Sequence, residues 1–168
     1  MKKVGTRTEP SFMAVRARAQ APAKPLLLYV EDDDDNWAVA RMRLTDRYDI
    51  TRASNAREAC DILARRGPEF TAILMDIELQ GSEINGIQLT EFLRGASRAT
   101  APSYLAGVPV LHATTIIFVT AHGAAFEGGQ LEKAGGDRVI GKPVDFKALN
   151  LAITQTHLDR VMAKRRAP

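Results

Sequence analysis

The sequence predicts an α/β fold built on a five-stranded parallel sheet with helices on both faces. Short apolar runs alternate five times with segments of helical periodicity, which can form the crossovers that parallel strands need. The run 72–77 has no polar position before Asp76, as expected of a strand that helices cover on both sides. With 168 residues, the chain has room for one domain and short flanking segments.

The predicted strands are apolar or β-branched runs bounded by turn residues, at 26–30, 48–53, 72–77, 115–120 and 137–141. The predicted helices follow them in order, at 36–46, from Ser54 or Asn55 to Gly67-Pro68, at 86–95, at 124–134 and at 145–163. The second strand carries the polar residues Asp49, Thr51 and Arg52, so we expect it at an edge of the sheet. Asp34 or Asp35 is expected to cap the first helix.

Composition excludes several classes of protein. Hydrophobic residues make up 45% and charged residues 26% of the chain, which is ordinary for a soluble globular protein. No apolar run approaches the ~18–20 residues of a membrane span, and residues 1–24 lack the apolar core of a secretory signal. We therefore expect a cytoplasmic protein. Cys60 is the single cysteine, which excludes an intrachain disulfide and a cysteine-based metal site.

Charge is distributed unevenly along the chain. Residues 1–24 carry a net charge of +5 and residues 147–168 carry +4, whereas residues 25–146 carry −6. We interpret 1–24 as a flexible basic arm, 25–163 as the folded domain and 164–168 as a basic tail. Binding of nucleic acid or of an anionic membrane is the less favoured interpretation of the basic ends, because they lack the aromatic interleaving that single-strand binding favours.

A long connection, 96–113, interrupts the alternation of strands and helices. It carries apolar and aromatic residues between turn residues: Tyr104, Leu105, Val108, Val110 and Leu111. Loops of this length without secondary structure are usually functional or disordered. We hold two interpretations open: a docking or dimerisation surface, or a flap that covers the domain's own sheet edge or a helix.

Chemically active side chains follow four of the predicted strands. Glu31 and Asp32 follow the first strand, and Asp76 ends the third. Thr120 ends the fourth strand, and Lys142 follows the fifth. The carboxyl ends of parallel strands meet at one edge of a sheet, and three carboxylates there repel one another unless a cation such as Mg²⁺ lies among them. A hydroxyl and an ammonium group beside them can bind phosphoryl oxygens, so the set suits phosphoryl transfer.

With these motifs in this order, the sequence resembles a response-regulator receiver domain of two-component signalling, over residues 26–160. The matching motifs are an acidic pair, an acceptor aspartate, a glycine turn, a Thr-Ala pair and a Lys-Pro pair: Glu31-Asp32, Asp76, Gly86, Thr120-Ala121 and Lys142-Pro143. One such motif alone is weak, but the whole set at strand ends is specific. The resemblance implies a flavodoxin-like sheet with strand order 2-1-3-4-5.

The resemblance also implies a function. A histidine kinase or a phosphotransfer protein would donate a phosphoryl group to Asp76, which would make the chain a phosphoprotein of a phosphorelay. The implied Mg²⁺ ligands are Glu31, Asp32, Asp76 and the backbone carbonyl of Glu78. Thr120 and Lys142 would contact the phosphoryl group. Phosphorylation would then shift a two-state equilibrium by moving Thr120 and repacking the face 124–163.

Only one helix and a basic tail follow Lys142, so we expect a single-domain regulator without a DNA-binding output domain. It would not be an enzyme beyond catalysing its own phosphorylation and dephosphorylation. Its output would be binding to a downstream protein or onward relay of the phosphoryl group. A homodimer through the 124–163 face or through the 96–113 insert is a further interaction that the sequence allows.

Some positions depart from the receiver pattern. Val139 occupies the place of the usual aromatic switch residue, so coupling between threonine and an aromatic ring cannot operate in its usual form. Glu78 and His122 occupy positions that tune the access of hydrolytic water in this family. Gly128 and Gly129 lower the propensity of the predicted fourth helix, as expected of a mobile switch element. The loop 79–86 lacks the usual proline and is longer than usual, so docking of a kinase there could differ.

Two other functions compete with the phosphoacceptor switch. A Mg²⁺-dependent phosphohydrolase that forms an aspartyl phosphate would also place its nucleophile on a parallel strand, but it normally has a second Asp where this chain has Glu78. A pseudo-receiver would bind partners without phosphorylation. Because the acids, Thr120 and Lys142 are all present, the phosphoacceptor switch is the preferred hypothesis.

Overall fold

The structure is a computed structural model that describes residues 23–96, 99–121 and 129–166. Residues 164–166 are described by their backbone only. Within these residues the strands are β1 Leu26–Val30, β2 Asp49–Ala53, β3 Ala72–Asp76, β4 Thr115–Thr120 and β5 Arg138–Gly141. All pair in parallel, in the order β2-β1-β3-β4-β5, which confirms the predicted fold. The α-helices are α1 Asp34–Leu44, α2 Ala56–Arg66, α3 Gly86–Leu93, α4 Gln130–Lys133 and α5 Phe146–Arg166.

Two layers of helices sandwich the sheet. β3 lies at its centre, and all five of its residues are buried. Successive side chains of a strand point to opposite faces. Leu27 and Leu74 therefore pack with α1 and α5, whereas Leu28 and Ile73 pack with α2, α3 and α4. β2 lies at an edge, as predicted. Because the strands are parallel, their carboxyl ends lie along one edge of the sheet. The polar residues at these ends therefore share that edge.

The start of α1 differs from the prediction. α1 begins at Asp34, two residues earlier than predicted. Asp33 is the N-cap, since its Oδ1 accepts a hydrogen bond from the Asn36 backbone N–H at 2.7 Å. The prediction of a cap at Asp34 or Asp35 is therefore wrong. In a run of aspartates every residue is a good cap, so the point at which the chain turns away from β1 decides which one caps the helix.

The predicted fourth helix is only partly described. Residues 122–128, including Gly128, lie outside the described residues. Gly129 precedes α4 as its N-cap with φ 78°, a left-handed conformation that an α-helix interior does not accommodate. The prediction that Gly129 lies inside this helix is therefore wrong.

The described part of the insert packs onto the domain itself. Leu105, Val108 and Leu111 are buried, and they belong to the core cluster that contains α2 and α3. The Leu111 backbone N–H donates to the Leu93 carbonyl oxygen at 2.7 Å, which holds the insert against the end of α3. These contacts are those of a flap over the domain's own helices. Val110 stays 42% exposed.

The ends of the chain are described only in part. α5 continues to Arg166, beyond the predicted helix end at residue 163. Residues 1–22 and 167–168 lie outside the described residues, so the basic arm 1–24 stays a prediction. No helix in the described part of the chain is both long enough and apolar enough to cross a bilayer.

Candidate functional site

Asp76 is the last residue of β3 and lies at the carboxyl edge of the sheet, as predicted. Its neighbours on β3 are wholly apolar and buried, and Asp76 itself is only 5% exposed. The following turn bends back over it: the Glu78 backbone N–H donates to Asp76 Oδ1 at 3.3 Å. Gly86 starts α3 against this strand, where an added Cβ would lie 1.9 Å from the Asp76 carbonyl oxygen. Only glycine therefore fits at this approach.

Lys142 joins the fifth strand to the acids. Its Nζ lies 2.5 Å from Asp76 Oδ2 and 2.8 Å from Glu31 Oε2. The Lys142 backbone N–H donates to the Thr120 carbonyl oxygen at 2.8 Å, which aligns the ends of β4 and β5. Thr120 is 1% exposed, and both residues line the cavity that contains Asp76. Side chains separated by 66 residues of sequence thus meet at one point.

Glu31 is completely buried, yet both of its carboxylate oxygens accept hydrogen bonds. Tyr29 OH donates to Oε2 at 2.7 Å, and Asn36 Nδ2 donates to Oε1 at 3.1 Å. Lys142 Nζ lies within hydrogen-bond distance of both oxygens. A buried charge needs such partners to be tolerated. Glu31 is therefore held in one orientation by three side chains.

Asp32 is more exposed than Glu31 and connects two loops. Its Oδ2 accepts a hydrogen bond from the Gln80 backbone N–H at 3.2 Å, across 48 residues of sequence. This contact ties the loop after β3 to the loop after β1. Carboxylate oxygens of Glu31, Asp32 and Asp76 all lie within 4.8 Å of one another. The three acids that the sequence analysis grouped are therefore brought together.

Burial raises the pKa of Asp76 to about 6, although the hydrogen bond and charge of Lys142 oppose this shift and Glu31 adds to it. Burial lowers the pKa of Lys142, but its hydrogen bonds with Asp76 and Glu31 outweigh burial and leave that pKa raised. Burial and the neighbouring Glu31 carboxylate also raise the pKa of Tyr29. At neutral pH the site therefore holds an ionised Asp76, a charged Lys142 ammonium group and a protonated Tyr29 phenol that can donate.

The acids surround an open polar cavity of about 530 Å³. Among the described residues that line it, carboxylates outnumber cations: Glu31, Asp32, Asp33, Asp34, Asp35, Asp76 and Glu78 against Lys142. A single ammonium group leaves negative charge uncompensated, and hard carboxylate oxygens at this spacing are ligands that Mg²⁺ prefers. The donor set therefore fits Mg²⁺, with Glu31, Asp32 and Asp76 as the residues that would hold it.

Other predicted positions lie around this centre. Glu78 is exposed at the rim of the cavity, and His122 lies outside the described residues. Val139 is 42% exposed on β5, an edge strand. Asp33 is the N-cap of α1, and Asp34 forms an ion pair with Arg52.

Tyr29, Asn36 and Arg52 support the site but were not predicted as site residues from the sequence. Tyr29 and Glu31 are two residues apart, which places them on the same face of β1, so the alternation of a strand could have indicated their contact. Asn36 directly follows the acidic run 31–35 and lies five residues after Glu31, to which it donates. Arg52 is paired with Tyr29 in the register of β1 and β2, and this pairing is visible only once the strand order is known.

Comparisons with known proteins agree with this geometry. Residues 27–154 match the family model of the response regulator receiver domain. No curated protein sequence is significantly similar to the chain.

Solved structures share the fold at low sequence identity. The receiver domain of Francisella response regulator 1452 is 18% identical, with a TM-score of 0.63 over 81% of this chain and 98% of that one. A CheY-like receiver domain protein from Methanospirillum hungatei is 21% identical, with a TM-score of 0.64 over 84% and 99%. A receiver protein from Pseudomonas putida is 24% identical, with a TM-score of 0.61 over 80% and 99%. Since the family model covers most of the chain, this protein belongs to the response regulator receiver domain family.

Proposed function

We propose that this receiver domain accepts a phosphoryl group on Asp76 from a histidine kinase or a phosphotransfer protein, in a Mg²⁺-dependent reaction. The phosphorylated domain signals through contacts with a downstream protein. The observation that carries the proposal is the Lys142 ammonium group, which lies 2.5 Å from Asp76 inside a cavity lined by acids. A pseudo-receiver would have no need to hold this lysine among buried carboxylates.

The proposed reaction is an in-line transfer. A carboxylate oxygen of Asp76 attacks phosphorus, an O–P bond forms, and the N–P bond to the donor imidazole breaks with its electron pair leaving on nitrogen. Asp76 must be ionised to attack, and a pKa of about 6 leaves it ionised at neutral pH. Bound Mg²⁺ would neutralise charge on the carboxylate and phosphoryl oxygens. Lys142 is placed to hold a phosphoryl oxygen, and Glu31 positions Lys142.

Switching would begin at Thr120, the last residue of β4, which lines the same cavity as Asp76. A hydroxyl drawn toward a new phosphoryl group would shift the end of β4 and the elements packed beside it. Val139 stands in place of an aromatic residue, so the signal would pass through backbone contacts such as Lys142 N–H to Thr120 carbonyl rather than through a rotating ring.

The test is mass spectrometry of the intact protein after incubation with MgCl₂ and acetyl phosphate. We expect the wild type to gain one phosphoryl group and Asp76→Asn to gain none. Asp61→Asn, which changes an exposed acid on α2 that does not line the cavity, is the matched control and should gain the group as the wild type does. An adduct on Asp76→Asn would contradict the assignment of the acceptor.

Incubations of the wild type with other phosphodonors separate the competing functions. Continuous turnover of a phosphomonoester such as p-nitrophenyl phosphate, rather than stoichiometric labelling, would favour the phosphohydrolase. A wild type that folds and binds Mg²⁺ but is labelled neither by acetyl phosphate nor by phosphohistidine would favour the pseudo-receiver.

A further inference from the structure

Arg52, on the edge strand β2, reaches over the end of β1 and binds the loop that carries the acids. Its Nε donates to the Glu31 carbonyl oxygen at 2.9 Å, and its Nη2 donates to the Asp32 carbonyl oxygen at 2.9 Å. Its Nη1 lies 2.6 Å from Asp34 Oδ1. One guanidinium group therefore holds two consecutive carbonyls of the loop and the carboxylate of Asp34, the first residue of α1.

The guanidinium is itself held in place. The Arg52 side chain is only 19% exposed, and its Cζ lies 5.9 Å from the centroid of the Trp37 ring. β2 is in parallel register with β1, and the Glu31 backbone N–H donates to the Ala53 carbonyl oxygen at 2.9 Å. The base of Arg52 is thus fixed by the sheet and its tip by α1. Such a fork is more rigid than a lysine ammonium group on a flexible stem.

The loop needs such a contact because five acids follow one another from Glu31 to Asp35. Like charges at this density repel one another and favour an open loop. The side chains of Glu31 and Asp32 must nevertheless turn toward Asp76. A group that binds the carbonyl oxygens of these two residues fixes their backbone orientation, and with it the direction in which their side chains leave the chain.

We propose that Arg52 is a positioning residue for the metal-binding loop, acting through the carbonyl oxygens of Glu31 and Asp32. This inference rests on the proposed function, because it concerns the same Mg²⁺ site. The Arg52 guanidinium group donates to the carbonyl oxygens of Glu31 and Asp32 and to the Asp34 carboxylate, which is not among the residues that would hold the ion. Residues that orient metal ligands in this way commonly change metal affinity by 10-fold to 100-fold when they are replaced, as an order of magnitude.

The sign of the effect separates positioning from simple electrostatics. Removing a positive charge near an acidic site makes the site more negative, so electrostatics alone would tighten Mg²⁺ binding in Arg52→Gln and leave Arg52→Lys unchanged. Positioning predicts weaker binding in both variants, because neither side chain reproduces the planar fork that binds two carbonyls at once.

The experiment is a titration of the full chain with MgCl₂, followed by ¹H–¹⁵N NMR, for the wild type, Arg52→Lys and Arg52→Gln. We expect the dissociation constant for Mg²⁺ to rise about tenfold in both variants. Hydrogen exchange in EDTA supplies a readout without metal: the amides of residues 33–36 should exchange faster in both variants. The matched control is Arg66→Lys, which should leave both the dissociation constant for Mg²⁺ and the exchange of these amides unchanged. Arg66 also pairs with a carboxylate and its Cζ lies 5.9 Å from the centroid of an aromatic ring, but it lies on α2 away from the acids.

Each outcome decides the proposal. Unchanged Mg²⁺ affinity in Arg52→Lys together with tighter Mg²⁺ binding in Arg52→Gln would show that Arg52 acts through its charge alone, and would overturn the positioning role. Wild-type affinity and exchange in both variants would overturn the role of Arg52 while leaving the Mg²⁺ site intact. A wild type that does not bind Mg²⁺ would overturn the proposed function and this inference together. Loss of the folded state in both variants, with Arg66→Lys folded, would make Arg52 a general structural residue and also overturn the proposal.

Discussion

The two ends of the central sheet each carry a cluster of partly buried charges, but the clusters are built differently. At the carboxyl end, Glu31, Asp32 and Asp76 face Lys142. At the amino ends of β4 and β5, a single acid, Asp137, pairs with two arginines, Arg94 and Arg160. One end has a surplus of negative charge and the other has a surplus of positive charge.

The surplus is satisfied internally at the amino end. Arg94 donates to the carbonyl oxygens of Gly135 at 2.8 Å and Thr114 at 3.0 Å, and also to that of Leu111. Arg160 donates to the His112 carbonyl oxygen and to Asp137. Backbone carbonyl oxygens therefore accept hydrogen bonds from N–H groups of Arg94 and Arg160 that do not bind Asp137.

At the carboxyl end the surplus carboxylate oxygens face an open cavity of about 530 Å³ instead. Burial and the nearby Arg160 lower the pKa of Arg94, whereas burial raises the pKa of Asp76, so both clusters are electrostatically unfavourable to some degree. The difference shows that an imbalance of charge does not by itself make a binding site. A site also needs coordinating atoms that the fold leaves open to an ion from solvent.

The largest effect is expected from breaking the closed cluster. Asp137→Ala leaves two arginines without their carboxylate partner, and we expect the free energy of unfolding to fall by about 3–5 kcal/mol. Urea denaturation measures it. Asp159→Ala, which removes an exposed acid beside Arg160, is the control and should stay within about 0.5 kcal/mol of the wild type. A loss of similar size in both variants would contradict the view that the cluster is a saturated structural unit.

Removing an acid from the open cluster should have the opposite sign. Burial raises the pKa of Asp76 from 3.8 to about 6, so the folded protein holds this proton more tightly than the unfolded chain does. The contribution of Asp76 to stability therefore falls as pH rises from 3.8 to 6, and above pH 6 its ionised carboxylate destabilises the fold in full. Asn does not ionise, so Asp76→Asn should be more stable than wild type by about 3 kcal/mol at pH 8 without Mg²⁺.

The advantage of Asp76→Asn should disappear as the pH falls below 3.8, where the wild-type carboxyl is protonated in both states. Urea denaturation across this pH range, with EDTA present, measures the effect. Asp137→Asn is the matched variant at the other end of the sheet, and it should destabilise the protein at pH 8. If Asp76→Asn were also destabilising there, the open cluster would not differ from the closed one.

The donors inside the open cluster can be tested with a pair of tyrosines. Tyr29→Phe removes the phenol that donates to the buried Glu31 carboxylate at 2.7 Å, and we expect a loss of about 1.5 kcal/mol in the free energy of unfolding. Tyr48→Phe is the control, because Tyr48 is buried in the same core cluster but lies away from the acids. Urea denaturation measures both losses. Equal losses in Tyr29→Phe and Tyr48→Phe would mean that a tyrosine hydroxyl bound to the Glu31 carboxylate contributes no more than one that lies away from the acids.

The smallest expected effect is stabilisation by the metal. MgCl₂ at ten times its dissociation constant should stabilise the wild type by about 1.4 kcal/mol, because the ion binds the folded state only. Thermal unfolding with MgCl₂ or with EDTA measures this difference. Asp137→Ala should keep the same response to Mg²⁺, because the two clusters are independent, whereas Asp76→Asn should respond less. A Mg²⁺ response that Asp137→Ala abolishes would couple the two ends.

Most of the fold and the centre of the site could be predicted from the sequence. The strands are recognisable as apolar runs, and the predicted order and parallel pairing are confirmed. Asp76, Glu31 and Lys142 come together because residues at the carboxyl ends of parallel strands share one edge of the sheet. This placement depends only on strand direction, so a coarse prediction of topology is enough to find it.

The finer contacts could not be predicted from local patterns. Arg94, Asp137 and Arg160 are separated by 43 and 23 residues and form no motif, so only the packed structure shows their pairing. The insert gave no local signal to decide between a flap and a docking surface, and the burial of Leu105, Val108 and Leu111 against α2 and α3 shows packing as a flap.

The sequence by itself determined where strands run and which chemical groups stand at their ends, because apolar periodicity and strand polarity are properties of short segments. Only the tertiary structure decided which charges are saturated and which stay open. It placed Arg52 on the carbonyls of Glu31 and Asp32, and it closed the donors of Arg94 with carbonyls of distant loops. Satisfaction of a buried polar group depends on partners that are brought close only by packing, and no segment contains that information alone.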